Sequence, residues 1–204
     1  MMKPDHFIHL ARTGDPSEPR LILFHGTGGS ERDLLWTADA IAPEAGYLSA
    51  RGQISELGAP RWFRRLAEGV FDMEDLAIRT EEVAEWLTLM RKELGEPNRL
   101  WIGFGYSNGA NIIANLFLQG HRVMDGAIMV RPMLTDEPIP GLELSGIKLQ
   151  LQAGVDDQLC PYEQGEQLAE QFQAAGASTT LKPIQAGHNF TQDDILAAQE
   201  FLNQ

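Results

Sequence analysis

The stretch from 99 to 118, RLWIGFGYSNGANIIANLFL, narrows the choice of fold more than any other part of this chain. Leu100, Trp101 and Ile102 form a short apolar run of bulky side chains, as in a buried strand. Gly103 and Gly105 follow, then Tyr106-Ser107-Asn108-Gly109. Beyond them Ala110, Ile112, Ile113, Leu116 and Phe117 recur at helical spacing. The pattern is strand, G-x-S-x-G turn, helix. A turn that tight presses the incoming strand against the outgoing helix, so Gly105 and Gly109 stand where a side chain has no room. Ser107 must then adopt a strained backbone conformation. Asn111 and Ala114 keep the helix face small where it meets the strand.

The same alternation runs along the rest of the sequence. Apolar runs predict strands over residues 20–24, 47–50, 126–130, 148–153 and 178–184, with a weak edge strand over 7–10. Helical periodicity covers residues 30–45, with Ser30 as its cap, and then 72–95, 162–175 and 191–202. Between residues 51 and 72 Gly52, Gly58, Pro60 and Gly69 break any period, and loops of this length are often functional. Strands alternating with helices imply an α/β fold, a mostly parallel sheet covered on both faces. With 204 residues and neither repeat nor linker, residues 1–204 read as a single domain.

A formal net charge of −13 repels phosphate backbones and anionic headgroups, so neither nucleic acid nor stable membrane association is expected. Cys160 is the lone cysteine, which excludes an internal disulfide and fits a reducing compartment. No apolar segment follows the start, and no run approaches the roughly 18 residues a membrane span needs, so a cytoplasmic protein is expected. There is no H-x-x-x-H or C-x-x-C spacing, and neither a metal nor a cofactor is expected.

In a parallel sheet ligands bind beyond the carboxyl ends of the strands. Three polar segments follow predicted strands directly: Ser107, Asp156-Asp157 and His188. A serine hydroxyl is a poor nucleophile until an imidazole takes its proton, and that imidazole needs a carboxylate on its other nitrogen. Of the histidines, His6 and His9 precede the core, His121 follows the elbow helix and His25 lies in a glycine-rich loop; only His188 follows a strand after the acids. Spacing alone does not choose between Asp156 and Asp157. The loop His25-Gly26-Thr27-Gly28-Gly29 leaves backbone N–H groups free after a buried strand, yet no G-K-[ST] follows that would make it a phosphate cradle.

The Gly105–Gly109 turn resembles the nucleophile elbow of the α/β-hydrolases, and Ser, Asp, His is the chain order of that superfamily. The His25–Gly29 loop is similar to its HG-x-G oxyanion loop, which implies that the N–H groups of Thr27 and Asn108 form an oxyanion hole. Gly154-Val155-Asp156-Asp157-Gln158-Leu159-Cys160-Pro161 resembles the family's G-x-x-D-x-x-V-P, with Cys160 in place of valine, and this implies Asp157 as the acid. Over nearly its full length the chain resembles the compact carboxylesterase/phospholipase family, which includes the acyl-protein thioesterases and lies near the dienelactone hydrolases. Leu48–Gly52, Pro60–Arg65, Glu68–Asp72, Gly105–Asn111 and Arg131–Met133 look like a bacterial subgroup associated with hydroquinone and catechol resistance. The resemblance implies a lidless α/β-hydrolase that cleaves small carboxylic esters, with thioesters and lysophospholipid-type esters open to the same chemistry. Ser107, His188 and Asp157 would be catalytic, and no cofactor would be needed. The partner is then a small-molecule ester, and a homodimer is compatible with the sequence. Two readings of other classes stand beside it: a binding or sensor protein without turnover, and a cofactor-free lyase or isomerase.

Arg51, Arg61, Arg64 and Arg65 crowd one irregular segment whose only acid between them is Glu56. Either they pair with the surplus carboxylates of nearby helices, or they face the pocket. In the second case Arg51 and Arg64, joined by Arg131 after another strand, would bind substrate and favour esters carrying an anionic group.

Overall fold

The computed structural model describes residues 2–203. In chain order the elements are β1 (His9–Arg12), β2 (Arg20–Phe24), α1 (Leu35–Ile41), β3 (Gly46–Ala50), β4 (Ile54–Glu56), β5 (Ala59–Arg61), β6 (Arg65–Ala67), β7 (Val70–Phe71), α2 (Met73–Glu93), β8 (Trp101–Tyr106), α3 (Asn108–Leu118), β9 (Gly126–Val130), β10 (Lys148–Gly154), α4 (Tyr162–Ala174), β11 (Ser178–Ile184) and α5 (Gln192–Leu202). Every residue of β2 is buried. Leu21 and Leu23 point to one core and Ile22 and Phe24 to the other, as a strand covered on both faces requires. Seven strands form one sheet in the order β1-β3-β2-β8-β9-β10-β11. Only the edge strand β1 runs antiparallel to its neighbour. On one face α2, α3 and α4 contribute Val83, Leu87, Ile112, Phe117, Leu168 and Phe172 to the larger core. On the other face α1 and α5 contribute Ala38, Ile41, Ile195, Ala198 and Phe201. The expected α/β architecture and parallel sheet are observed.

Two segments differ from the sequence reading. The helix expected over 30–45 is confined to Leu35–Ile41. Pro43 restricts the residue before it and ends the helix. At the other end Ser30 caps a turn rather than a helix, its hydroxyl donating to Asp33. The segment expected to be irregular over 51–72 contains two small hairpins, β4–β5 and β6–β7. Their strands of two or three residues are too short to show a period of two. Leu57 and Gly58, both at positive φ, make the first turn. Among the described residues, no helix is long and apolar enough to cross a membrane.

The strand entry points are joined by one ionic cluster. Arg20 donates to both carboxylate oxygens of Glu96 and to the carbonyls of Arg12 and Tyr47. Arg99 and the Trp101 indole donate to the same carboxylate. Burial alone would raise the Glu96 carboxyl, but the hydrogen bonds from Arg20, Arg99 and Trp101 outweigh it and hold it at about 2. Because the folded value lies below the ordinary 4.5, the stabilisation is complete above about 4.5 and is lost as pH falls toward about 2. Glu96→Gln is therefore expected to unfold with roughly 3 kcal/mol less stability at pH 7, and the gap from the unmodified protein should shrink by pH 3. Urea titrations at the two pH values measure it; a gap equal at both would remove Glu96 as the pH-sensitive tie.

Candidate active site

The backbone at the β8–α3 turn is held where only certain residues fit. Ser107 has φ 52° and ψ −115°, a positive φ that costs a residue with a side chain. A Cβ on Gly109 would lie 2.0 Å from the Phe24 carbonyl oxygen, and one on Gly105 would lie 2.6 Å from that of Gly109. Strand and helix can approach this closely only because both positions are glycine. The Ser107 N–H donates to Val130 O at 2.8 Å, and the turn points its hydroxyl over the carboxyl end of the sheet.

Two more strand ends bring up its partners. After β10 the Asp157 carboxylate accepts from the N–H groups of Leu159 and Cys160 through Oδ1, both at 2.9 Å. Its Oδ2 lies 2.9 Å from Nδ1 of His188, which follows β11. His188 Nε2 lies 2.9 Å from Ser107 Oγ. A carboxylate can only accept, so Nδ1 carries the proton, and Nε2 is left to accept from the serine hydroxyl. Asp157 is buried and Asp156 exposed, so the structure places Asp157 in this chain of contacts and leaves Asp156 outside it. Cys160 stands beside them, its sulfur within 4.8 Å of donor atoms of Asp157 and His188. Burial, then the Asp157 charge, push its thiol up to about 12, so it is a neutral neighbour.

The glycine-rich loop after β2 meets the serine from the other side. Gly28 N–H donates to Pro60 O and Gly29 N–H to Gly26 O. Among the described residues the N–H groups of Thr27 and Asn108 have no such partner, and both residues line the cleft with Ser107. His25 serves the loop's shape. Its Nε2 accepts from Gly52 N–H at 2.9 Å while Nδ1 donates to Gly26 O. Burial, the largest influence, lowers its pKa, in keeping with a neutral ring in that role. The cleft itself is small, about 70 Å³, walled by Thr27, Arg61, Arg65, Phe71, Met133 and Leu159 around Ser107 and His188. A larger hollow of about 720 Å³ at the end of α2 is lined by none of these residues.

The three arginines expected to bind substrate do not line this cleft. Arg51 is turned onto the buried Glu31, donating to both its oxygens at 2.7 and 3.0 Å. Arg64 is 58% exposed and pairs with Asp72 and Asp75 at the start of α2. Arg131 is fully buried at φ 54°. Its five N–H donors are all used: two on the Asp194 carboxylate, the others on the carbonyls of Gln152, Gly187 and Asn189. Each guanidinium found a carboxylate: Arg51 and Arg131 one from a distant segment, Arg64 two at the start of the helix that follows it. Arg131 instead brackets His188, since it holds the carbonyls on both sides of it.

Four supports of the site went unseen in the sequence. Besides Arg131 with Asp194, Tyr106 Oη donates to His188 O at 2.8 Å. Asn108 Oδ1 accepts from Trp62 N–H, and Asn111 Oδ1 accepts from Met133 N–H. Asn111 thus anchors a cleft loop, rather than merely keeping the α3 face small. The Thr191…Asp194 spacing is a helix-start signal, but nothing local marks Asp194 as the partner of an arginine in a distant loop.

No protein-family model matches the chain. MhqD of Bacillus subtilis (strain 168), whose name places it among the hydrolases, is 41% identical over 192 residues, 92% of this chain and 94% of its own length. The crystal structure of the Bacillus cereus carboxylesterase superimposes with a TM-score of 0.90 at 39% identity, covering 97% of this chain and 94% of that one. The structure of YahD with malic acid has the same TM-score of 0.90 at 28% identity, with 97% and 98% covered. With this degree of identity along nearly the whole of both chains, the protein belongs to the carboxylesterase-like family of α/β-hydrolases.

Proposed function

We propose that this protein is a serine hydrolase of small carboxylic esters that works through an acyl-serine. The observation that carries the reading is the unbroken contact chain Ser107–His188–Asp157, 2.9 Å at each link, beside two free backbone N–H groups. As the substrate carbonyl settles over Ser107, His188 Nε2 takes the hydroxyl proton and Oγ forms a bond to the carbonyl carbon. Asp157 steadies the imidazolium through Nδ1–H. The carbonyl oxygen, now an anion, is met by the N–H groups of Thr27 and Asn108, each worth about 10²–10³ in rate. The imidazolium passes its proton to the departing alkoxide, leaving Ser107 acylated. Water then repeats the sequence, with His188 as base, and frees the acid. Thioesters could enter the same cycle, since a thiolate leaves more readily than an alkoxide; the small cleft favours short acyl groups over the long chains of lysophospholipids. With Cys160 as its lone cysteine the chain has no internal disulfide to keep, which fits work in a reducing compartment such as the cytoplasm.

A fluorophosphonate probe followed by peptide mapping, with a p-nitrophenyl ester series beside it, tests the reading. Label on Ser107 alone, with turnover falling as the acyl chain lengthens, is the expected result. Label on another serine, or none with no ester hydrolysis, would overturn it. Asp157→Asn should lower kcat/KM by about 10⁴-fold, because an amide in that place favours the wrong imidazole tautomer. Asp156→Asn, on the exposed neighbour, should stay within about twofold. Similar losses in both variants would mean that the carboxylate acts through the loop and not through the ring.

A further inference from the structure

The cleft beside Ser107 is walled by Arg61 and Arg65, two of the four clustered arginines but neither of the two from that cluster singled out as substrate-binding. Arg61, at the end of β5, is a buried cation with a side chain 4% exposed. Its Nε donates to Phe63 O at 3.1 Å and its Nη1 to Thr27 Oγ1 at 2.6 Å. Its Nη2 has no protein partner among the described residues. Arg65, at the start of β6, donates through Nε to both oxygens of Glu56, at 2.9 and 3.1 Å. That same carboxylate lies 3.5 Å from Arg61 Nη1. Two guanidinium groups therefore share one carboxylate and leave one positive charge over. Glu68 also lines the cleft, but it is exposed and pairs with neither arginine.

A buried cation is costly unless its charge is matched and its donors are filled. Arg61 meets that condition only in part: Glu56 is 35% exposed, shared, and beyond good hydrogen-bond distance. The unfilled edge of the guanidinium is Nη2, in a residue already bonded to the loop that carries the Thr27 N–H. A planar fork with a free edge suits a carboxylate. The small cleft limits how far such a carboxylate can stand from the bond attacked by Ser107.

We propose that Arg61, with Arg65 and Glu56 setting its free charge, selects short esters whose acyl group ends in a carboxylate, such as half-esters of small dicarboxylic acids. This rests on Ser107 being the nucleophile. The surface as a whole, at net charge −13, repels anions, so a preference for an anionic ester must arise inside the cleft. Salt screens the exposed charges more than the buried contact, so the preference holds or grows as ionic strength rises.

The test compares kcat/KM for mono-p-nitrophenyl succinate and p-nitrophenyl butyrate, esters of similar length that differ in the terminal charge. The unmodified protein should favour the succinate roughly 10–100-fold, as a charge-assisted hydrogen bond allows. Glu56→Gln, which frees both guanidinium groups, should raise that ratio through a lower KM for the succinate. Arg61→Gln should bring the ratio to about one or below. A ratio near one in the unmodified protein, or a lower ratio in Glu56→Gln, would overturn the proposal; Glu56→Gln decides even if Arg61→Gln does not fold. Calorimetry with monoethyl succinate and ethyl butyrate on Ser107→Ala separates the two levels of the argument. Tighter binding of the succinate, strengthened by Glu56→Gln, supports the arginine assignment even where turnover is absent. Equal binding of both esters refutes it even where Ser107 proves to be the nucleophile.

Discussion

Ser107→Ala is expected to lower kcat/KM for a p-nitrophenyl ester by about 10⁴–10⁶-fold, since the loss of the nucleophile leaves only binding and the oxyanion donors. The fold should survive, because the hydroxyl contacts His188 and holds no buried element in place. Ser107→Gly makes a sharper companion. At φ 52° a residue without a side chain is relieved of strain, whereas alanine keeps all of it. The glycine variant should be as inactive as the alanine variant and should melt at a higher temperature. If alanine melts at the same temperature or higher, the turn is not strained in the way its dihedral angles imply. If either variant keeps more than about one hundredth of the activity, another group is the nucleophile.

Arg131→Met should be nearly as damaging, by a different route. It leaves the Asp194 carboxylate, with no exposure of its own, without a cation, and breaking a buried pair on one side costs about 3–5 kcal/mol. It also releases the carbonyls of Gly187 and Asn189, so His188 loses its restraint from both sides. Stability and turnover should therefore fall together in the single variant. In the double variant Arg131→Met, Asp194→Leu the uncompensated charge is gone, and much of the stability should return. Turnover should not return with it, because the carbonyls that flank His188 remain unheld. Thermal melts and kcat/KM at a temperature where both variants are folded separate the two effects. Recovery of activity in step with stability would reduce Arg131 to a purely structural tie.

These results mark where the sequence could be read and where it could not. The alternation of strands and helices was legible because β2, β9, β10 and β11 are whole apolar or alternating runs. The elbow was legible because the demands fall on neighbouring positions: Gly105 and Gly109 have no room for a side chain and Ser107 sits between them at positive φ, although the group that excludes a side chain at Gly109 is the Phe24 carbonyl of another strand. Asp157 was chosen by resemblance, and the structure supplies the physical difference from Asp156, which is burial against His188. The arginines were not legible. A guanidinium takes whichever carboxylate the fold brings to it: Arg64 took those at the start of the next helix, one of the two outcomes the sequence offered, but Glu31 and Asp194 come from segments whose approach no local pattern records. The hairpins over 51–72 were hidden for a simpler reason, that two or three residues cannot display a period.

The order of the strands has a consequence for synthesis. On one side of β2 the sheet grows outward in chain order, β8, β9, β10 and then β11, while on the other side β3 comes to lie between β2 and the earlier β1. The β8–β11 half of the sheet can be laid down as the ribosome delivers it, whereas β1 finds its partner only once β3 has been made. The contacts around Ser107 do not share that convenience. Ser107 and His188 are separated by 81 residues, and the Arg131–Asp194 tie closes only when α5 has emerged. A nascent chain stalled before β11 would already display the elbow and the Asp157 loop, yet would lack His188 and leave an open strand edge at β10. The Ser107–His188 contact is thus made only late in synthesis, and until then the sheet keeps an edge open to association.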